Sequence, residues 1–174
     1  MDIRNYDAHD RLRDGTPVRI RTLGPEDKTR LAEFHQRLSP ESIYFRFFEY
    51  KRALTERDLH YLTELDYDRR VALVATLGTT PDAPIVGVAR YDVLPSPASE
   101  PLRAELGIIV EDAQHNRGVG TTLLRHLLQI AHAKGITQIV AEVLPQNTRM
   151  LELVARSGVP VQHRLEEGTI HLTV

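Results

Sequence analysis

The segment His115-Asn116-Arg117-Gly118-Val119-Gly120 constrains this chain more than any other. It lies between an alternating strand pattern over Arg103–Val110 and a helical pattern that begins at Gly118. In the strand, Ala104, Leu106, Ile108 and Val110 share one face, and Glu105, Gly107 and Ile109 share the other. In the helix, Val119, Leu123, Leu127, Ile130 and Ala131 form one apolar stripe, and Gly135 ends it. Glycines at such a junction let successive backbone N–H groups converge, and the helix N-terminus adds positive potential. Arg117 adds a fixed cation, so the segment suits a pyrophosphate. The spacing of two glycines alone leaves a plain strand–helix turn open as well. Other phosphate loops fit poorly. A Walker A loop needs a Lys where Thr121-Thr122 stand, and the dinucleotide fingerprint needs a Gly where Leu123 stands.

Around this junction the periodicity alternates between strand and helix. Pro17-Val18-Arg19-Ile20-Arg21 predicts a strand, and Gly24-Pro25-Glu26-Asp27 starts a helix running to about Leu38. Ser39-Pro40-Glu41 repeats that start signal, and Thr55 with Asp58 has capping-box spacing. Val71–Ala75 and Ile85–Ala89 predict a hairpin, and Leu94–Pro101 a loop. Ile136–Leu144 predicts a strand, Asn147–Ser157 a helix, and Val159–Arg164 with Thr169–Val174 a last hairpin. The first 15 residues are polar and read as a loose arm that could dock on a second copy in a homodimer; residues 16–174 read as a single domain.

Composition narrows the function classes. The 22 Lys+Arg nearly balance the 24 Asp+Glu, for a net charge of −2, which argues against broad binding to nucleic acid or an anionic membrane. The absence of Cys excludes a thiolate nucleophile, a disulfide and Cys-ligated zinc. The apolar runs are shorter than a membrane span requires and no secretion signal is visible, so a cytoplasmic protein is expected. The histidines are scattered, and His126 and His132 do not share a helical face, so no metal site is expected.

The pattern Gln/Arg-x-x-Gly-x-Gly/Ala, which His115 to Gly120 resembles, is the pyrophosphate loop of the GNAT superfamily of acyl-CoA N-acyltransferases. His115 stands where Gln or Arg is usual, with Gln114 one position early. The expected order of elements is the GNAT order over nearly the whole chain. Glu142-Val143-Leu144-Pro145-Gln146-Asn147, followed by Met150, Leu151 and Gly158, resembles the strand and helix that flank the pantetheine arm. Leu38–Phe48 and Asp66–Ala75 look like the acetyltransferase domain of Pat-type bacterial protein lysine acetyltransferases, a domain often fused to a larger module. The resemblance implies an α/β (α+β) fold with a central mixed sheet of six to seven strands flanked by helices. It implies acetyl-CoA as co-substrate, with the pantetheine lying as a pseudo-strand against Ile108, Ile109 and Val110. The pyrophosphate would lie over Asn116, Arg117, Gly118, Val119, Gly120 and Thr121 beside His115, with Asn147 contacting the cofactor. It implies an amine acceptor, foremost a protein lysine. A small amine, or a silent acyl-CoA-binding regulatory module, are the alternatives.

Acetyl transfer needs a neutral amine. A lysine of pKa ~10.4 lies roughly three units above neutral pH, a cost of about 4 kcal/mol, which a general base offsets by taking the proton. Glu105 matches the catalytic glutamate of the Pat-type group, and Glu142 matches the base of some ribosomal-protein N-acetyltransferases. The other reading of either is a solvated or Arg-paired strand carboxylate. The resemblance favours Glu105, and Gly107 on the same face suggests room for a substrate. The family's tyrosine acid is replaced by Val154, and no Tyr follows Tyr91. The aromatic stretch Tyr44 to Phe48 is expected to pack in the core, with the border of an acceptor pocket as the alternative the resemblance offers, and Arg46 within it has no apolar task and could contact the acceptor or cofactor.

Overall fold

Val71, Leu73 and Ala75 point to one side of a strand, Ala72 and Val74 to the other, and all five are fully buried. Such a two-sided apolar strand must lie mid-sheet with both faces covered. A computed structural model describes residues 1–174 and places this strand, β3 (Arg70–Leu77), third in an eight-stranded sheet. Its companions are β1 (Asp7–Arg11), β2 (Pro17–Thr22), β4 (Ile85–Val93), β5 (Leu102–Val110), β6 (Ile136–Val143), β7 (Gln162–Glu166) and β8 (Thr169–Thr173), in the order β1-β2-β3-β4-β5-β6-β8-β7. Every neighbouring pair is antiparallel except β5 and β6, which run parallel across the helical crossover.

One face carries α4 (Val119–Ala133), whose stripe of Val119, Leu123, Leu127 and Ile130 packs with Leu73, Ala89 and Tyr91. The other carries α1 (Lys28–Gln36), α2 (Pro40–Phe47) and α3 (Glu56–Thr63), which cover Ala72, Val74, Ile85 and Val88 with Leu31, Phe34, Leu38 and Ile43. The start signals act as expected. The Ser39 side chain accepts from the Ser42 amide, and Thr55 and Asp58 form a reciprocal capping box. A last helix, α5 (Thr148–Ala155), follows β6.

The sheet therefore has eight strands rather than six to seven, and the added strand, β1, lies in the segment expected to be a loose arm. Asp7-Ala8-His9-Asp10-Arg11 is polar because it forms an edge, where the backbone pairs and the side chains meet solvent. Ile3 and Leu12 on either side are buried, and the Thr22 hydroxyl lies within hydrogen-bonding distance of the Ile3, Arg4 and Tyr6 carbonyls. Asp10 meets Arg125 and His126 on α4, and the Tyr6 hydroxyl lies 2.5 Å from His126 Nδ1. No helix is long and apolar enough to cross a membrane.

Candidate active site

β5 pairs with β4 from Ala104 to Val110, but with β6 only from Leu102 to Glu105. A register irregularity lies at Leu102/Arg103, and β6 stays paired with β8 on its other edge. Beyond Glu105 the two strands diverge. The Glu111 amide donates to the Val86 carbonyl at 2.8 Å. Alternation along the ladder then turns the N–H and C=O of Leu106, Ile108 and Val110 away from β4 and into the gap. A cleft of about 390 Å³ occupies this opening.

At one end of the cleft, Asn116 (φ 63°) and Gly118 (φ 91°) both take left-handed conformations and fold the loop back on the helix. This makes the amide-rich concavity expected of such turns. No side chain caps α4, and the amides of Val119, Gly120 and Thr121 have no acceptor within the chain. His115 donates its Nε2 hydrogen to the Val110 carbonyl at 2.8 Å, while its Nδ1 is buried without a partner. Asn147 lines the cleft while its side-chain oxygen caps α5 by accepting from the Met150 amide.

Arg117 departs from expectation. Its guanidinium leaves the cleft to bond Gln114 at 2.5 Å, Thr16 at 2.8 Å and Asp14 at 2.9 Å. The Asp14 carboxyl is held well below the usual range, first by the Thr16 hydroxyl and amide and then by Arg117. The cation facing the loop is instead Arg13, which donates to the Asn116 carbonyl at 3.2 Å and lines the cleft with Arg149 and Arg156.

At the other end, Glu105 is exposed on the cleft wall, directly opposite Asp92 in the β4–β5 ladder. Glu142 stands on β6 at the far side of the gap, also exposed, 3.9 Å from His171 Nδ1. The space beside Gly107 is filled: a Cβ there would come within 2.5–2.7 Å of the Arg46 guanidinium. Arg46 reaches this place because α2 is fixed over β5. Ser39 and Ser42 bond Asp112, just beyond β5, with the Ser39 amide at 3.0 Å and its hydroxyl at 2.8 Å. Burial pushes the Asp112 carboxyl up, and these hydrogen bonds outweigh burial and hold it below the usual range. Burial, then the charge of Arg90, brings the Arg46 guanidinium down to about 10. Val154 is buried on the inner side of α5 and takes no part in the cleft, whereas Leu153 lines it and closes on Gly120.

The cleft thus gathers Glu105, Ile108, Ile109, Val110, His115, Asn116, Gly118, Val119, Gly120, Thr121 and Asn147, and leaves out Arg117. Phe45, Phe47 and Phe48 line it too, so the aromatic stretch is not only core. Of the residues not singled out, Arg13 lies in a segment whose composition resembled a tail. Arg149 and Arg156 were legible as the basic residues of α5 and the turn after it.

A sequence model of the acetyltransferase (GNAT) family matches residues 31–159. The GNAT domain of S. lividans PAT superposes with a TM-score of 0.87 at 34% identity, covering 97% of this chain and 96% of that one. Acetyltransferase PA5475 of Pseudomonas aeruginosa is 29% identical over 158 residues, 91% of this chain and 83% of that protein. The fold is shared with yncA of Salmonella typhimurium, whose structure holds its cofactor acetyl-CoA (TM-score 0.71, 17% identity, 90% and 92% covered).

Proposed function

The chain belongs to the acetyltransferase (GNAT) family, and from that premise we propose that it moves the acetyl group of acetyl-CoA to an amine, foremost a protein lysine, in the cytoplasm. The observation that carries this reading is the free edge of β5 running up to the uncapped start of α4. The edge offers the backbone of Leu106 and Ile108 and the Val110 N–H to a pantetheine arm, as a neighbouring strand would. The amides of Val119, Gly120 and Thr121, with the helix potential behind them, suit a pyrophosphate, and Arg13 supplies the adjacent cation.

Acetyl-CoA supplies an activated acyl carbon. The chain's own residues then hold the amine, take its proton and stabilise the developing charge. Glu105 accepts the proton as the amine nitrogen attacks the thioester carbon. The N–C bond forms and the C–S bond breaks. A backbone N–H on the free edge of β5 donates to the carbonyl oxygen as it gains negative charge. With Val154 buried, the departing thiolate takes its proton from water, which its low basicity permits.

A thiol-release assay with acetyl-CoA against protein and small-amine panels tests the reading. Glu105→Gln should lower kcat by roughly 10²–10⁴ with CoA affinity retained, and raising the pH should partly restore turnover because more of the amine is already neutral. Glu142→Gln should do much less. The opposite order of the two variants would move the base to Glu142, and CoA binding without transfer to any amine would leave a silent binding module.

A further inference from the structure

We propose that Arg46, on the wall of the cleft, and Arg90, buried behind it, form a carboxylate-binding subsite at the reacting end, so that either the acyl group or the amine acceptor carries a carboxylate. Arg46 makes no hydrogen bond or ion pair; its guanidinium lies over Gly107 and 5.0 Å from the Phe47 ring. Arg90 stands opposite Gly107 in the ladder, is 4% exposed, and leaves its Nη2 buried without a partner. Its remaining contacts are long, 3.4 Å to Asp92 and 3.5 Å to the Leu62 carbonyl. Asp92 is already bonded by Arg70 at 3.0 Å. Of the three guanidiniums here, Arg70 and Arg90 lean on the one carboxylate of Asp92 and Arg46 pairs with none, so unmade donors are concentrated beside Gly107.

Unsatisfied buried donors are costly, and a charged acceptor is the partner that offsets this best. A small cavity of about 30 Å³ is lined by Arg46, Arg90, His35, Gly107 and otherwise apolar side chains. That is room for about two waters. Burial and the neighbouring Arg90 charge both disfavour the Arg46 cation, and an incoming anion relieves both.

The inference rests on the proposed reading only in taking the Glu105 end as the reacting end; a carboxylate found on the acyl group would replace acetyl as the group transferred there. Calorimetry on the full chain separates the two sources of the carboxylate. One arm compares succinyl-CoA with acetyl-CoA. The other compares lysine with cadaverine, the same amine chain without the carboxylate. A preference of about 10- to 100-fold for the carboxylate in either arm is expected and identifies its source. Arg46→Gln should reduce that preference to within about twofold. Gly107→Ala should act in the same direction while keeping both charges, because its methyl group takes the guanidinium's place. Equal affinities in both arms, or a preference that survives both substitutions, would overturn the subsite. Failure to bind either CoA ester would overturn the proposed function instead; a preference for lysine over cadaverine that Arg46→Gln abolishes would then support the subsite, and equal affinities for the two amines would overturn it.

Discussion

At the phosphate end of the cleft, the side chain placed to meet a ligand is Arg13, because Arg117 is already bonded to Gln114, Thr16 and Asp14. The two arginines should respond differently to the same substitution. Arg13→Gln should weaken CoA binding by about tenfold, the scale of one charge-assisted phosphate contact, with little change in folding stability. Arg117→Gln should cost about 1 kcal/mol of stability, because it unties the loop from the β1–β2 turn, and should affect CoA binding less. Titration calorimetry and urea unfolding of both variants check this. The opposite order would return Arg117 to the phosphates. His115 shows the same economy of geometry: its Nε2 bond to the Val110 carbonyl closes the end of the free β5 edge that the cleft exposes.

At the level of elements, Asp27 joins β2 to the start of α1. It is fully buried, accepts two bonds from Arg21 at 2.8 and 2.9 Å, and accepts the Gly24 amide at 3.0 Å. Burial pushes its carboxyl up, but Arg21 and the Gly24 amide outweigh burial and hold it below the usual range. Asp27→Asn leaves Arg21 without its counter-charge and should cost about 3–5 kcal/mol at neutral pH. The folded-state pKa lies below the unfolded one, so the carboxylate's stabilisation is complete above the unfolded value of about 3.9. It is lost as pH falls through the folded value. Unfolding curves of wild type and variant should stay apart from pH 7 to about 5 and converge only in strong acid. The elements legible in the sequence are those with local causes: the caps at Ser39 and Thr55, the α4 stripe, the alternation along β5. β1 was not legible, because an edge strand needs no apolar pattern. Nor were the role of Arg117 and the filling of the Gly107 space, because Asp14 and Arg46 reach those places only through tertiary packing.

The whole sheet is two parts joined along Leu102–Glu105 and bridged by α4. Occupation of the gap should therefore register in the backbone. With CoA bound, the amides of Ile108 and Val110 should exchange at least about tenfold more slowly, while Gly107 and Ile109, already paired with β4, should change little. Uniform slowing of all four would point to general tightening rather than pairing along the β5 edge. The gap also bears on aggregation. An unpaired strand edge is a template for a second chain, and the outer strands guard against this with charge, Asp7 and Arg11 on β1 and Arg164 and Glu166 on β7. The inner edge of β5 carries no such guard. It lies instead in a notch that is closed where β5 meets β6 and flanked by the loop before α4. A slender, flexible chain can lie down in that notch, but a strand still attached to its own sheet cannot, so shape does there what charge does at the rim.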